Sequence, residues 1–531
     1  MTGLLISPAN PVNIDGGGGT NTLNVNNQED TVGRNVNITQ TTITGLAVPI
    51  DYQRLQFINL YLGSGNDSFL ADKTVTAAVF VDGGGGNNSF TQDFSENTDD
   101  LNLVIDLQNP SPQDSGSLIY NMQGISLILG SGNNVVTLVN PTLVNGANFS
   151  IDGSKGQSDR LNLDFSSDTL GFTDSVTVNN THIVGLGLSN LQYLGMDTME
   201  SILGSGSDRI NLTNNFSGVL ELDARGGDNT ISTGDGNHTI NAGDGNNTIT
   251  TRHGNNQITL GDGRNTITTG DGNMEIISGN GNNSIRTGNG NSQITTGDGQ
   301  NTINTGNGDM KIISGNGSNI ISTGNGNSQI TTGDGSNHIT TRNGNQTITT
   351  GRGNNRITTA NGNQKVTAGH GNNTISVGTG NSEITAGDGL NTITTGDRDS
   401  KIITGRGNNT ITTGNGNNHI TTGDGNNHIT TRNGNQTITT GNGHNRITTA
   451  SGNQTITTGS GNDIITTGIG NSRITSSGGN NRITTGNGNQ IITTGAGNDI
   501  INTGNGDDII TTQGRNKTIR TGRGRKTIVY N

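Results

Sequence analysis

The sequence predicts an all-β fold: a parallel β-roll or β-solenoid with two nonapeptides per coil, preceded by a larger-coil β-solenoid or β-rich segment. Three observations carry this reading. From Ile231 to Ile528 an isoleucine occupies every ninth residue, thirty-four positions without an insertion, and only Val366 replaces it. With this isoleucine numbered as position 8 of the nonapeptide, position 4 is glycine in 32 of 34 copies, the exceptions being Arg398 and Arg515. Position 6 alternates: it is Asn in every second copy from Asn229 through Asn247 and Asn265 to Asn445, and mostly Ser, Gln or Met between them, as at Met274, Ser292 and Gln346. A strict short period is one small unit stacked on its neighbours, and the alternation makes the structural repeat a pair of nonapeptides rather than one.

Residues 1–222 follow a longer rhythm. Gly-rich turns recur at Asp15–Gly19, Asp82–Gly86 and Asp152–Gly156, and Leu-Gly-Ser-Gly recurs at Leu62, Leu129 and Leu203. These spacings predict three β-rich repeats of about 70 residues, with strands in apolar runs such as Leu101-Asn-Leu-Val-Ile. Residues 223–531 predict the regular roll of about 17 coils, ending in a basic cap of Arg515, Lys517, Arg520, Arg523, Arg525 and Lys526. That cap either stops further stacking at an exposed edge or anchors an acidic polysaccharide.

Composition narrows the function. Hydrophobic residues make up 26% and aromatics 3%, too little for a conventional core, while glycine reaches 88 residues. Net charge is −13, which speaks against a nucleic-acid partner. There is no cysteine for a disulfide or thiolate site. No apolar run is long enough for a membrane span, and the start, Met-Thr-Gly-Leu-Leu-Ile-Ser-Pro-Ala, lacks the features of a classical signal peptide. No catalytic constellation is present in the sequence, and a coil stack offers no obvious pocket for one.

The nonapeptide, as in Ala-Gly-Asp-Gly-Asn-Asn-Thr-Ile-Thr from Ala242 to Thr250, resembles the RTX or haemolysin-type repeat, Gly-Gly-x-Gly-x-Asp-x-hydrophobic-x. The resemblance implies a parallel β-roll, calcium between successive turns on one side, and export without an N-terminal signal. It also implies that position 6 aspartates and turn carbonyls hold the ion. Here position 6 is Asp only at Asp463, Asp499 and Asp508 in the array. The earlier turns carry Asp67 and Asp208 at the matching place, and Asp159 if Leu161 is position 8. These six are the candidate calcium ligands, and no two of the array's three stack on adjacent coils. No cofactor is required on this reading, with calcium at a few sites at most. Stacked Asn side chains can instead hydrogen-bond along the coil axis, as amide ladders do in cross-β assemblies.

The expected function is a non-enzymatic, exported structural protein that self-associates into a bacterial surface fibre, sheath or layer, an architecture similar to that of oscillin-like surface proteins. An adhesin-like or ice-binding module is the first alternative, since Thr fills position 9 from Thr394 to Thr484 on one sheet and from Thr421 to Thr511 on the other. Thr also suits any exposed β surface. A calcium-responsive RTX protein is the second alternative.

Overall fold

The computed structural model describes residues 11–99, 101–106, 118–120, 124–139, 148–156, 158–166, 176–178, 181–185, 188–212, 218–513 and 516–531. The chain start read above for a signal, and Arg515, lie outside them. Among the described residues every regular element is a β-strand. The chain divides into two compact units: residues 1–262 with 266–270, and residues 263–265 with 271–531. The division falls inside the nonapeptide array, so residues 223–262 belong to the first unit.

The second unit is the regular roll. Each strand pairs in parallel with the strand one coil away, at a register step of two nonapeptides: Ser292 opposite Met310, Met310 opposite Ser328, Ser328 opposite Gln346. The alternate strands form a second sheet with the same step, from Ser284 to Thr302 to Ile320. Side chains alternate across a strand, so position 8 points inward on both sheets; Ile303, Ile312, Ile393 and Ile402 are fully buried. Positions 7 and 9 face outward, and Thr392–Thr395 reads exposed, buried, exposed, buried. The two threonine runs at position 9 therefore stand on the outer faces of the sheets.

Glycine at position 4 is demanded twice over. Its backbone takes a positive φ, +137° at Gly353 and +140° at Gly389, which an L side chain resists. A Cβ on Gly353 would also stand 2.1 Å from the carbonyl oxygen of Gly335, one coil earlier. Arg398 nevertheless holds this place, with φ at +108°. Such strain costs about 1–3 kcal/mol. Arg398→Gly is therefore expected to stabilise the second unit by about 1–2 kcal/mol, seen as a higher urea midpoint; an unchanged or lower midpoint would show that the strain is absent.

The first unit winds less evenly. Thr22 pairs with Phe57 and Phe57 with Ala78, a long step followed by a much shorter one. Asn102, Val135, Arg160, Thr198 and Val219 stack in turn, again at unequal steps. Two antiparallel excursions interrupt the winding: Asn35–Ile38, Thr42–Thr44 and Ile50–Gln53, and Val176–Val178, His182–Gly185 and Leu188–Leu194. The wider coils hold a bulkier core, with Phe90, Phe149 and Phe165 fully buried and Phe69 stacked on Phe90 at a centroid distance of 5.2 Å. From Thr230 to Thr248 the step has settled at two nonapeptides.

Candidate metal sites and the amide rows in their place

Position 6 lies where the turn enters the strand, with its side chain directed back into the turn. In the second unit this puts a row of carboxamides, one per coil, along one edge. Asn355 is 1% exposed, and its Nδ2 donates to three oxygens: the carbonyls of Gly351 (3.2 Å) and Gly353 (3.1 Å), and Oδ1 of Asn373 one coil on (3.0 Å). Its own Oδ1 accepts from the backbone N–H (3.2 Å) and Nδ2 (2.9 Å) of Asn337. The same pattern recurs at Asn319, Asn373, Asn391, Asn409 and Asn427. Every amide hydrogen and oxygen is used, as buried polar groups require.

The opposite edge is built differently. Gln346 is one methylene longer and reaches backward: its Nε2 donates to the carbonyl of Gly326 in the preceding coil (2.9 Å), and its Oε1 accepts from Ser328 N–H (3.0 Å). Outside these inner rows, side chains at positions 3 and 5 accept from backbone N–H groups one coil later, as Asp271 does from Asn289 and Asn273 from Asn291. Inner and outer rows thus run with opposite donor polarity. Between them they take the N–H groups of positions 3, 5 and 6, while that of position 4 donates to a backbone carbonyl, as Gly353 does to His370.

A calcium ion needs about 6–8 oxygen ligands. At Asn355 the place between turn carbonyls and the next position 6 oxygen is filled by the amide nitrogen itself, and the carbonyls are engaged by it. The Asn row therefore does not fit the ion.

The three array aspartates each bring a donor for their second oxygen. Asp463 Oδ1 accepts from the backbone N–H (2.9 Å) and Nδ2 (3.1 Å) of Asn445, and Oδ2 accepts from Ser476 Oγ (3.3 Å). Asp499 Oδ1 accepts likewise from Asn481, and its Oδ2 lies 2.6 Å from Lys517 Nζ, both side chains fully buried. That ammonium also donates to the carbonyls of Gly495 (3.1 Å) and Gly497 (2.5 Å). Asp508 Oδ2 accepts from Thr503 Oγ1 and from Lys526 Nζ, each at 2.7 Å, and Lys526 Nζ bonds the carbonyl of Gly506 as well. A lysine ammonium thus stands among one carboxylate and turn carbonyls in the last coils. Two of the six basic residues of the cap are turned inward, while Arg520, Arg523 and Arg525 remain exposed.

In the first unit the geometry differs. Asp67 is 3% exposed and Asp159 fully buried. Asp67 Oδ1 accepts from Arg34 N–H (2.7 Å); Asp159 Oδ1 accepts from the N–H (2.7 Å) and Nδ2 (3.0 Å) of Asn134. The Oδ2 atom of each is buried with no hydrogen-bond partner among the described residues. Burial pushes both carboxyls above their ordinary value of 3.8, as expected of a charge without local compensation. Asp159 Oδ2 lies so close to the glycine turn that a Cβ on Gly156 would stand 2.3 Å from it. These two carboxylates fit a cation better than any place in the regular array. Asp208 is buried, and its N–H donates to Asn229 Oδ1 (2.8 Å), so it begins the amide row. Among the described residues no three His, Cys, Asp or Glu side chains gather around one point.

Sequence reasoning missed two members of the same device. Asn88 and Asn134 hold position 6 in irregular coils; Asn88 Nδ2 donates to the carbonyls of Gly83 (2.7 Å) and Gly85 (3.2 Å), and Asn134 Nδ2 to those of Gly130 (3.3 Å) and Gly132 (2.9 Å). The signal was present in Gly130-Ser-Gly-Asn-Asn-Val-Val, a nonapeptide frame with Val136 in place of isoleucine. The two-nonapeptide spacing of Asp499 to Lys517 and of Asp508 to Lys526 was equally visible.

No curated protein matches the chain. The model of the RTX calcium-binding nonapeptide repeat (4 copies) matches eleven stretches from residue 223 to residue 510, which together cover more than half of the chain. Glycine turns, inward isoleucines and position 6 side chains facing the turn carbonyls are the physical content of that match, and the chain belongs to the RTX nonapeptide-repeat family.

Proposed function

We propose that this protein is a non-enzymatic, exported structural solenoid that builds or decorates a bacterial surface as a fibre, sheath or layer through self-association. Proteins with RTX repeats are typically exported, and their β-solenoids typically non-catalytic. The observation that carries the reading is the saturated amide row: from Asn283 to Asn445 each coil is closed onto the next by uncharged groups supplied by the chain itself, so a long regular surface needs no ion for its assembly. Negative-stain microscopy of the full chain, in calcium and in excess chelator, tests it. Filaments or sheets in both conditions are expected. Dispersed particles in both would overturn self-association, and assembly only with calcium would favour the calcium-responsive alternative.

The open Oδ2 atoms of Asp67 and Asp159 support one further element, weak calcium binding confined to the first unit. Calorimetric titration is expected to find no more than a few sites per chain, lost in the pair Asp67→Asn and Asp159→Asn. Stoichiometry rising toward one ion per coil would refute this.

A further inference from the structure

The two edges of the second unit are not equivalent, and shallow grooves lie along one of them. This is the Ser/Gln/Met edge, where position 6 is serine in two of the coils of each groove. One groove of about 450 Å³ runs over Met274, Ser292, Met310 and Ser328, and another of about 460 Å³ over Gln364, Ser382 and Ser400. They occupy consecutive coils on the same edge, the first ending at Asn345 and Thr347 and the second beginning at Asn363, and Gln346 lines neither. One wall is the position 5 row. There the Oδ1 atoms of Asn291, Asn327, Asn345 and Asn363 accept backbone N–H groups of the following coil, which fixes each carboxamide on an exposed residue and leaves its Nδ2 without a partner among the described residues. The other wall is the position 7 row, with Lys311 in the first groove and Lys365, Glu383 and Lys401 in the second.

From this the geometry points to a binding site for an extended linear polysaccharide laid along the coil axis. The donors stand in three of every four coils of each groove, interrupted by Asp309 and Asp399, at the strand spacing of about 4.8 Å, close to the advance per sugar of an extended β-linked glycan. The grooves expose more apolar than polar surface, edged by fixed carboxamide donors for hydroxyl oxygens, a mixture that suits the apolar faces and hydroxyl rims of a sugar chain. Their charges nearly cancel: Glu383 stands between Lys365 and Lys401 in the same row and pairs with both, and Asp309 and Asp399 lie in the position 5 row beside Lys311 and Lys401. Recognition is therefore through hydroxyls rather than net charge. A peptide strand is disfavoured because the strands flanking the grooves, from Ser292–Thr296 to His419–Thr422, have both edges paired and offer no free edge to extend.

The test is retention of the full chain on an insoluble neutral β-glucan and on an insoluble uronan, at low and high salt. The expected result is retention on the neutral glucan that survives high salt. It should fall at least tenfold in a variant carrying Ser292→Gln, Ser328→Gln, Ser382→Gln and Ser400→Gln, which fills the floor with the residue present at Gln346, where neither groove extends over position 6. The variant's thermal midpoint, measured alongside, is expected to match the parent. No retention on either polymer, retention only on the uronan and abolished by salt, or undiminished retention by a folded variant would each overturn the proposal.

Discussion

Asn355→Asp is expected to destabilise the second unit by about 3–5 kcal/mol in calcium-free solution, the scale for a buried charge without a partner. Asn355 Nδ2 donates to two turn carbonyls and to Asn373 Oδ1. A carboxylate there loses all three donations and sets a negative charge against three oxygens. Asp463 tolerates the same row because Ser476, thirteen residues later, donates to its Oδ2; thirteen residues after Asn355 stands Ala368, buried and without a hydroxyl. Ala368→Ser is therefore expected to recover part of the loss. Adding Asn373→Asp stacks two carboxylates beside the turn carbonyls, which is the oxygen set that calcium takes, so the double variant should be the least stable without calcium and regain stability with it. Urea unfolding of the four proteins in chelator and in calcium measures all of this. An Asn355→Asp protein as stable as the parent in chelator would mean that the amide donations do not hold the coils together.

Lys517→Met is the second large effect, again about 3–5 kcal/mol on the last coils, because it strands the fully buried Asp499 carboxylate. The loss belongs to the unpaired charge rather than to any net gain from the ion pair. Replacing both partners by the residue that the row uses elsewhere, Asp499→Asn with Lys517→Asn, is accordingly expected to fall within about 1 kcal/mol of the parent, since a neutral substitute for a buried pair is often tolerated. Proteolysis or hydrogen exchange confined to residues 480–531 would locate the effect. Equal losses in the single and double variants would show that Lys517 acts through packing alone.

The regular roll was legible because repetition removes ambiguity. A single Gly-x-Asn-x-x-Ile says little, but the alternation at position 6 fixed the two-nonapeptide coil and the two unlike edges, and the register from Ser292 to Gln346 follows it. The first unit was less legible because its coils vary: the step from Thr22 to Phe57 is much longer than that from Phe57 to Ala78, and hairpins like Asn35–Ile38 with Thr42–Thr44 are inserted, which leaves no constant period to read. The candidate ligands were visible as residue types but not as environments. Asp67 and Asp463 occupy the same place in the repeat, yet one carboxylate has an unpartnered oxygen and the other a serine hydroxyl thirteen residues away. That distinction depends on what lies one coil over, which a linear motif does not contain. The basic end shows the same limit: as a charge cluster it faced outward, whereas Lys517 and Lys526 turn into the coil and meet Asp499 and Asp508.

Hydrogen exchange of the full chain, in excess chelator and in saturating calcium, addresses the substitution of amide for ion most directly. The backbone N–H groups of Asn319, Asn337, Asn355, Asn373 and Asn391 all donate to the next carboxamide of the row. Their protection is expected to be high and the same in both conditions. Protection that appears only when calcium is added would contradict the account.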